Sequence, residues 1–528
     1  MKNRNIMRKY IFTAILMIAA TASAQSSYEA VRLLNSDLVG TARYIGMGGS
    51  MASLGTDISV MGTNPAGTAL YRSNDVMLTA GLSTAKNEVK MVGTVSKNDN
   101  TFFSIDNAGV VMANNIDSGI LKFLNVGFNY KRRNNLQREF AMAGATGGYS
   151  QMYQMQALYD APDIPFDIAE MNPQYYTSLE YSWLALLAAD GGLLYEGYYD
   201  EDNNIIDQGA LNYDSDYMLY ASDEQGGVDL VECNLSCNLN DRVYLGVTLG
   251  FHSVDYSRYS YYGEDYGDEV VYTIYNNYET KGSGFDLKLG AIFRPFEESP
   301  FRFGIAVHTP TWYQLTDRMS AEIEGHKTDF VPGYMNTVSY DAYGDDYYVD
   351  YNLRTPWRYN ISAAYTFGNY LALNAEYEYS DYTTAEMEYS DSYFPKNMPV
   401  NEEFKSNMRG VSSYKIGAEF KFDKSFSMRC GYNHVTTPFK KGAAKYMLLT
   451  NDTNTEYLNT LETNNYSVGI GYRGTSFYAD ASFLFTVQDA EFYPFYDTYD
   501  ENGIRYSNPG AKVTSTADRL VFTLGMRF

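Results

Sequence analysis

His252 and His308 are two of only four histidines in the chain, and they share a parity with Arg358 along alternating segments. Two imidazoles on separate strands could ligate a haem iron. Neither has a flanking motif, and polar residues facing an enclosed interior account for them as well. Cys233, Cys237 and Cys430 are the only cysteines. In an extended strand Cys233 and Cys237 would stand roughly 13 Å apart, beyond disulfide reach. They share a face with apolar neighbours and read as small hydrophobes, buried or turned to lipid. No paired Cys/His cluster argues for a metal. The acidic stretches YYDEDNNIID, YGEDYGDEV, YGDDYYVDY and YDTYDENG lack the ligand spacing of a calcium loop and read as solvated loops. Arg242, Arg358 and Arg473 fall on the inward parity and suit charge networks with these many acids. No Ser/His/Asp, Cys/His or isolated carboxylate pair can be defended as catalytic. No enzyme activity, cofactor or metal is therefore expected.

The elements that would hold such residues are strands. Past residue 75 the chain repeats segments of alternating polarity. At the C-terminus Leu520, Phe522, Leu524, Met526 and Phe528 alternate with Val521, Thr523, Gly525 and Arg527. Val243, Leu245, Val247, Leu249 and Phe251 form a second such face, and Phe285, Leu287, Leu289, Ala291 and Phe293 a third. Period two on this scale means half-buried β-strands. Tight turns at 240–241, 295–300, 367–369, 423–424 and 474–475 alternate with long polar loops near 261–279, 319–354, 388–410, 438–463 and 488–516. A soluble β-sandwich explains the alternation but not loop lengths in phase with strand direction. An outer-membrane barrel with periplasmic turns and extracellular loops explains both. Fourteen strands are expected, starting near residues 76, 101, 121, 225, 242, 281, 300, 356, 370, 411, 425, 464, 475 and 518. In the polar interval 145–224, YSWLALLAAD suits a short helix.

Composition agrees. Of 528 residues 52 are Tyr, and acids outnumber bases 64 to 40. Aromatic girdles and polar loops absorb much of the Tyr. The acidic balance excludes a nucleic-acid binder working through a global basic field. Lys2, Arg4, Arg8 and Lys9, the apolar run from Ile11 to Ala20, and Ala22-Ser23-Ala24 before Gln25 read as a signal peptide over residues 1–24. Its removal takes the formal charge from −24 to −28. Residues 76–528 then form the barrel.

Residues 25–75 lack strand alternation and are rich in glycine, which suits a chain folded tightly inside a narrow lumen. Gly46-Met47-Gly48-Gly49 opens neither a dinucleotide fingerprint nor a phosphate loop. Gly40-Thr41-Ala42-Arg43, Gly46-Met47-Gly48-Gly49, Leu54-Gly55-Thr56-Asp57 and Asn64-Pro65-Ala66-Gly67 together resemble the N-terminal hatch of the FadL family. These are outer-membrane transporters for long-chain fatty acids and other hydrophobic compounds. The resemblance is strong over residues 40–82 and otherwise architectural. The family's asparagine-proline-alanine motif falls on Asn64, Pro65 and Ala66.

The resemblance implies an all-β, fourteen-stranded antiparallel transmembrane barrel with a lumenal hatch in the bacterial outer membrane. Its function would be passive uptake of hydrophobic or amphipathic small molecules, such as long-chain fatty acids, with no cofactor. Arg43, Gly46, Gly48, Gly49, Asn64, Pro65, Ala66 and Gly67 would belong to hatch and gate. The family's lateral exit arises at an inward kink of the third strand. The matching candidate, at the wall opening or the extracellular rim, is the break at Lys131-Arg132-Arg133-Asn134-Asn135; Lys and Arg snorkelling at the rim is the simpler explanation of it. Phe528 fits the terminal signal read by the barrel-assembly machinery. Partners would be the small-molecule ligand and the surrounding outer-membrane lipid and lipopolysaccharide, with the protein a monomer. Two rivals are a haemin-binding receptor and a surface protein binding through its acidic, Tyr-rich loops. An energised receptor needs a plug of well over a hundred residues, and only about fifty are available.

Overall fold

The computed structural model describes residues 25–91, 93–160, 182–190, 193–195, 209–210, 215–266, 269–325, 337–339, 347–390, 396–445, 452–499, 505–506, 508 and 510–528. The expected signal peptide, residues 1–24, lies outside them. The wall is a closed antiparallel barrel of fourteen strands. They are β1 (Asp75–Met91), β2 (Thr94–Ser118), β3 (Leu121–Asn135, resuming as Arg138–Ala145), β4 (Tyr217–Leu239) and β5 (Val243–Tyr266). Next come β6 (Glu269–Phe293), β7 (Arg302–His308, resuming as Trp312–Gly325), β8 (Tyr347–Arg354, resuming as Arg358–Phe367) and β9 (Leu371–Asp381). The last five are β10 (Gly410–Lys421), β11 (Phe426–Val435), β12 (Tyr457–Arg473), β13 (Phe477–Tyr493) and β14 (Ala511–Arg527). β14 closes on β1 in register from Asp75↔Arg527 to Lys90↔Lys512.

Alternation has its expected physical result. Leu245, Leu249 and Phe251 on β5, and Phe285 and Leu289 on β6, are exposed on the outer surface. Their inward neighbours Thr248, Asp286 and Lys288 are buried. Such an apolar exterior is the lipid-facing belt of a transmembrane barrel. Phe293, Phe367, Phe420, Phe426 and Tyr472 rim it near the tight turns, and Trp312, Tyr359, Tyr414 and Tyr466 rim the other side. The turn at 240–241 places Asn240 and Asp241 at φ +53° and +56°, the left-handed pair that a two-residue hairpin demands.

Strand starts at the turn side fall close to their expected positions. Those on the far side begin earlier: β2 at 94, β4 at 217, β6 at 269, β12 at 457 and β14 at 511. Of the interval 261–279, expected as a loop, residues 261–266 and 269–279 are instead strand, paired from Tyr261↔Tyr275 to Tyr266↔Glu269. Polar residues continue the ladder because backbone pairing, unlike the belt, needs no lipid. Arg242, expected inside, lies at the periplasmic turn and pairs with Glu297 at 2.9 Å, because its strand begins only at Val243. Trp183–Asp190 is helical, as YSWLALLAAD suggested.

Both ends of the lumen are filled. At the turn side, residues 41–71 fold into the helix Ala42–Gly46 and two 3-10 turns, Ile58–Gly62 and Pro65–Leu70. At the outer side the helices Met152–Asp160 and Trp183–Asp190 pack with Tyr256, Tyr262, Tyr272 and Tyr278 in one apolar cluster. The helix Ser27–Leu34, here α1, lies in a second cluster with Tyr313, Tyr351, Phe404 and Phe439. Buried lumenal tyrosines are thus a third home for this residue, besides girdles and loops.

Candidate functional site

Two patches of wall glycine receive the segment 41–71. At the first, Gly417, Gly431 and Gly469 on β10 to β12 meet Met47, Gly48 and Gly46. Gly48 and Gly49 take φ +63° and +73°, and a Cβ on Gly48 would stand 2.7 Å from the Tyr432 nitrogen. Only glycine permits both the turn and the approach. Arg43 then reaches Glu419 with two bonds, of 2.8 and 3.2 Å. Glu419 also accepts from Arg429 at 2.7 Å, and Arg429 continues to Asp480 at 2.6 Å.

At the second patch, Gly246, Gly290 and Gly304 on β5 to β7 face Asn64 and Pro65. The Asn64 side chain caps its own turn, accepting from the Ala66 nitrogen at 3.1 Å, and donates to the Ala291 carbonyl at 3.3 Å. Pro65 fills the first position of that turn, where its missing N–H costs nothing. Thr68 donates to the Pro65 carbonyl at 2.8 Å. A Cβ on Gly67 would meet Val60 at 2.6 Å. The two groups of sequence-selected residues therefore sit apart, each at its own wall.

Arg132, Arg133, Asn134 and Asn135 lie where the wall changes. β2 and β3 pair from Ser118↔Leu121 up to Asn107↔Lys131 and no further. β3 continues along β4 with an irregularity between Arg132 and Asn134. The section Arg138–Ala145 pairs with β4 alone. It lies inside the line of β2, since Asn87 on β1 donates to the Glu139 carbonyl at 2.9 Å. Beside the break, Phe103 and Ile105 on β2 are 69% and 50% exposed. The break is therefore level with the lipid-facing belt.

A strap seals it from within. The Asp37 nitrogen donates to the Arg133 carbonyl at 3.3 Å, and the Asn135 nitrogen donates to the Asp37 carboxylate at 2.9 Å. Asn134 donates to the carbonyls of Arg32 and Asn35 at 2.8 and 2.9 Å. The Arg133 guanidinium donates to the Tyr313 hydroxyl at 2.7 Å. Nothing in the sequence marks Asp37, whose role depends wholly on what the fold brings opposite it.

Behind the strap is a cavity of about 420 Å³, lined by Phe102, Lys131, Arg133, Lys288, Arg358 and Lys415 among others. Lys288 pairs with Glu232 at 3.0 Å, and Lys415 with Glu376 at 2.9 Å. Both acids have fully buried side chains, recessed behind the lysines. Asp286 and Glu378 also reach the cavity. Strand parity alone would have found Lys288 and Lys415. His252 and His308 line it too, but the Nε2 of His252 is 2.9 Å from Asp286 and that of His308 2.9 Å from the Thr63 carbonyl. Neither Nε2 is free to ligate iron. Cys233, Cys237 and Cys430 are free thiols on the outer face. Phe528 is 65% exposed beside the barrel seam, where its backbone exchanges two bonds with Asn74.

No family model and no curated protein matches the chain. Solved structures do. A Pseudomonas aeruginosa FadL homologue aligns over 93% of this chain and 99% of its own, with 11% identity and a TM-score of 0.50. The Pseudomonas putida toluene transporter TodX covers the same shares at 10% identity and a TM-score of 0.48. The Ralstonia pickettii toluene transporter TbuX covers the same shares at 14% and 0.45. At such identities the likeness is one of fold.

Proposed function

We infer that this chain, a barrel with the fold of the FadL-type channels, is a passive outer-membrane conduit for hydrophobic or amphipathic small molecules. Cargo occupies the lumenal cavity and leaves sideways through the break in β3 once the strap 32–37 releases. One observation carries this reading: the cavity abuts a wall break, at belt level, that the strap bridges from within by hydrogen bonds. In this reading Arg43, Gly46, Gly48 and Gly49 hold the hatch to one wall and Asn64 to Gly67 hold it to another. Arg132 to Asn135 form the jamb of the exit. Lys288, Arg358 and Lys415 favour an amphiphile with an anionic head, such as a long-chain carboxylate, over a bare hydrocarbon. No catalysis is assigned. Phe528 is the assembly signal of a monomeric barrel set in lipid and lipopolysaccharide.

The test is a disulfide between strap and jamb. Asp37→Cys with Asn135→Cys, in a background where the three native cysteines are Ser, places two thiols across the contact. Oxidation is expected to abolish uptake of a fluorescent long-chain carboxylate, and reduction to restore it. Uptake that continues at the reduced rate in a fully oxidised sample removes the strap from the mechanism.

A further inference from the structure

Asp317, on the outer section of β7, is wholly buried. It lies five residues beyond Trp312, above the belt. Its carboxylate accepts four hydrogen bonds: from the Tyr278 and Thr280 hydroxyls at 2.7 Å each, the Tyr351 hydroxyl at 3.1 Å and the Gln25 side-chain amide at 3.1 Å. All four donors are neutral, and no ion pair reaches this carboxylate among the described residues. A buried carboxylate without a counter-charge carries a heavy desolvation penalty. Burial pushes it up to about 6, against the lowering effect of those bonds. Two residues along from Gln25, the Ser27 nitrogen donates to Glu403 at 3.0 Å.

The amide that meets Asp317 belongs to Gln25, itself 4% exposed. It is also the first residue left by cleavage after Ala22-Ser23-Ala24. Its α-nitrogen lies on the order of 5 Å from that side-chain amide by covalent geometry alone, in the neighbourhood of the Asp317 carboxylate. We propose that Asp317 is the receptor for the α-ammonium group of the mature chain, so that removal of the signal peptide creates the missing cation and locks α1 into the outer end of the lumen.

The lock has a structural consequence. The strap 32–37 follows α1 directly, and the hatch beyond it is held by Arg43 and Glu419. With its first residue fixed at Asp317, the strap is tethered at both ends, and an unprocessed chain has no charge with which to seat there.

The proposal is tested on mature protein extracted folded from outer membranes, with an amine-reactive ester as probe. The expected product begins at Gln25 with a free amine. In the folded barrel that amine should react at least about tenfold more slowly than in the unfolded chain. Asp317→Asn should remove most of this protection, with the barrel's heat-dependent gel mobility confirming that it has folded. If that variant fails to fold, insertion of one alanine between Ala24 and Gln25 serves instead: it displaces the ammonium by a residue and should likewise expose it. Three results overturn the proposal. These are a mature chain beginning elsewhere, a Gln25 cyclised with loss of one ammonia, and an amine as reactive in the folded wild type as in the variant.

Discussion

Arg43 does more for the hatch than its place in a weak sequence string suggests. Its guanidinium joins Glu419, Arg429 and Asp480 in one buried chain of charges crossing from hatch to wall. Arg43→Ala leaves Glu419 with Arg429 as its remaining partner, so the loss should fall at the lower end for a broken buried pair, about 3 kcal/mol. Hydrogen exchange across residues 42–49 should then quicken roughly a hundredfold while exchange in the barrel strands stays unchanged. Arg43→Lys keeps the charge but cannot make both bonds, and should fall between.

At the scale of elements, α1 is held by a charge cluster as well as by apolar packing. Burial alone would raise the Glu224 carboxyl, but Arg138, Arg32 and Arg258 outweigh it and hold it at about 2. Glu224 lies seven residues beyond Val231, the last strongly exposed apolar residue of β4, and so outside the belt. A depressed carboxyl stabilises above its unfolded pKa of about 4.3 and loses that contribution as pH falls toward 2. Exchange in α1 should therefore accelerate as pH drops from about 4.5 toward 2, after correction for the intrinsic rate. Glu224→Gln should flatten this dependence. The elements differ in how legible they were. Period-two alternation marks the belt because lipid imposes it, and it gave fourteen strands with starts close at the turn side. Above the belt that constraint ends, so 261–279 read as loop although residues 261–266 pair with 269–275. The hatch motif was visible as clustered glycines. The wall glycines that receive it were not, since Gly431 looks like any strand glycine until Gly48 lies against it. The strap contact of Asp37 with Asn135 joins residues 98 apart and leaves no local trace.

As a whole, the molecule is a lumen closed at both ends with a weak point in its side. Such a barrel should pass almost no ionic current across a planar bilayer. Gly431→Ala would drive a methyl group into the backbone of Met47 and Gly48, which no rotamer can relieve. The hatch should then fail to seat on that wall, and single-channel current should appear in a barrel that still shows normal heat-dependent mobility. Silent membranes with a folded variant would mean that the outer helices alone suffice to seal the lumen.

The three free cysteines acquire a consequence from the wall they occupy. Cys233 and Cys237 alternate outward with Val231, Leu235 and Leu239, and Cys430 stands between Met428 and Val468 on the same outer surface. Thiols in a cell envelope meet soluble oxidants and exchange enzymes, which act through water. Once the barrel is inserted, acyl chains lie between these sulfurs and every such reagent. Bilayer insertion thus shelters an odd number of thiols that a secreted soluble protein would have to pair or lose.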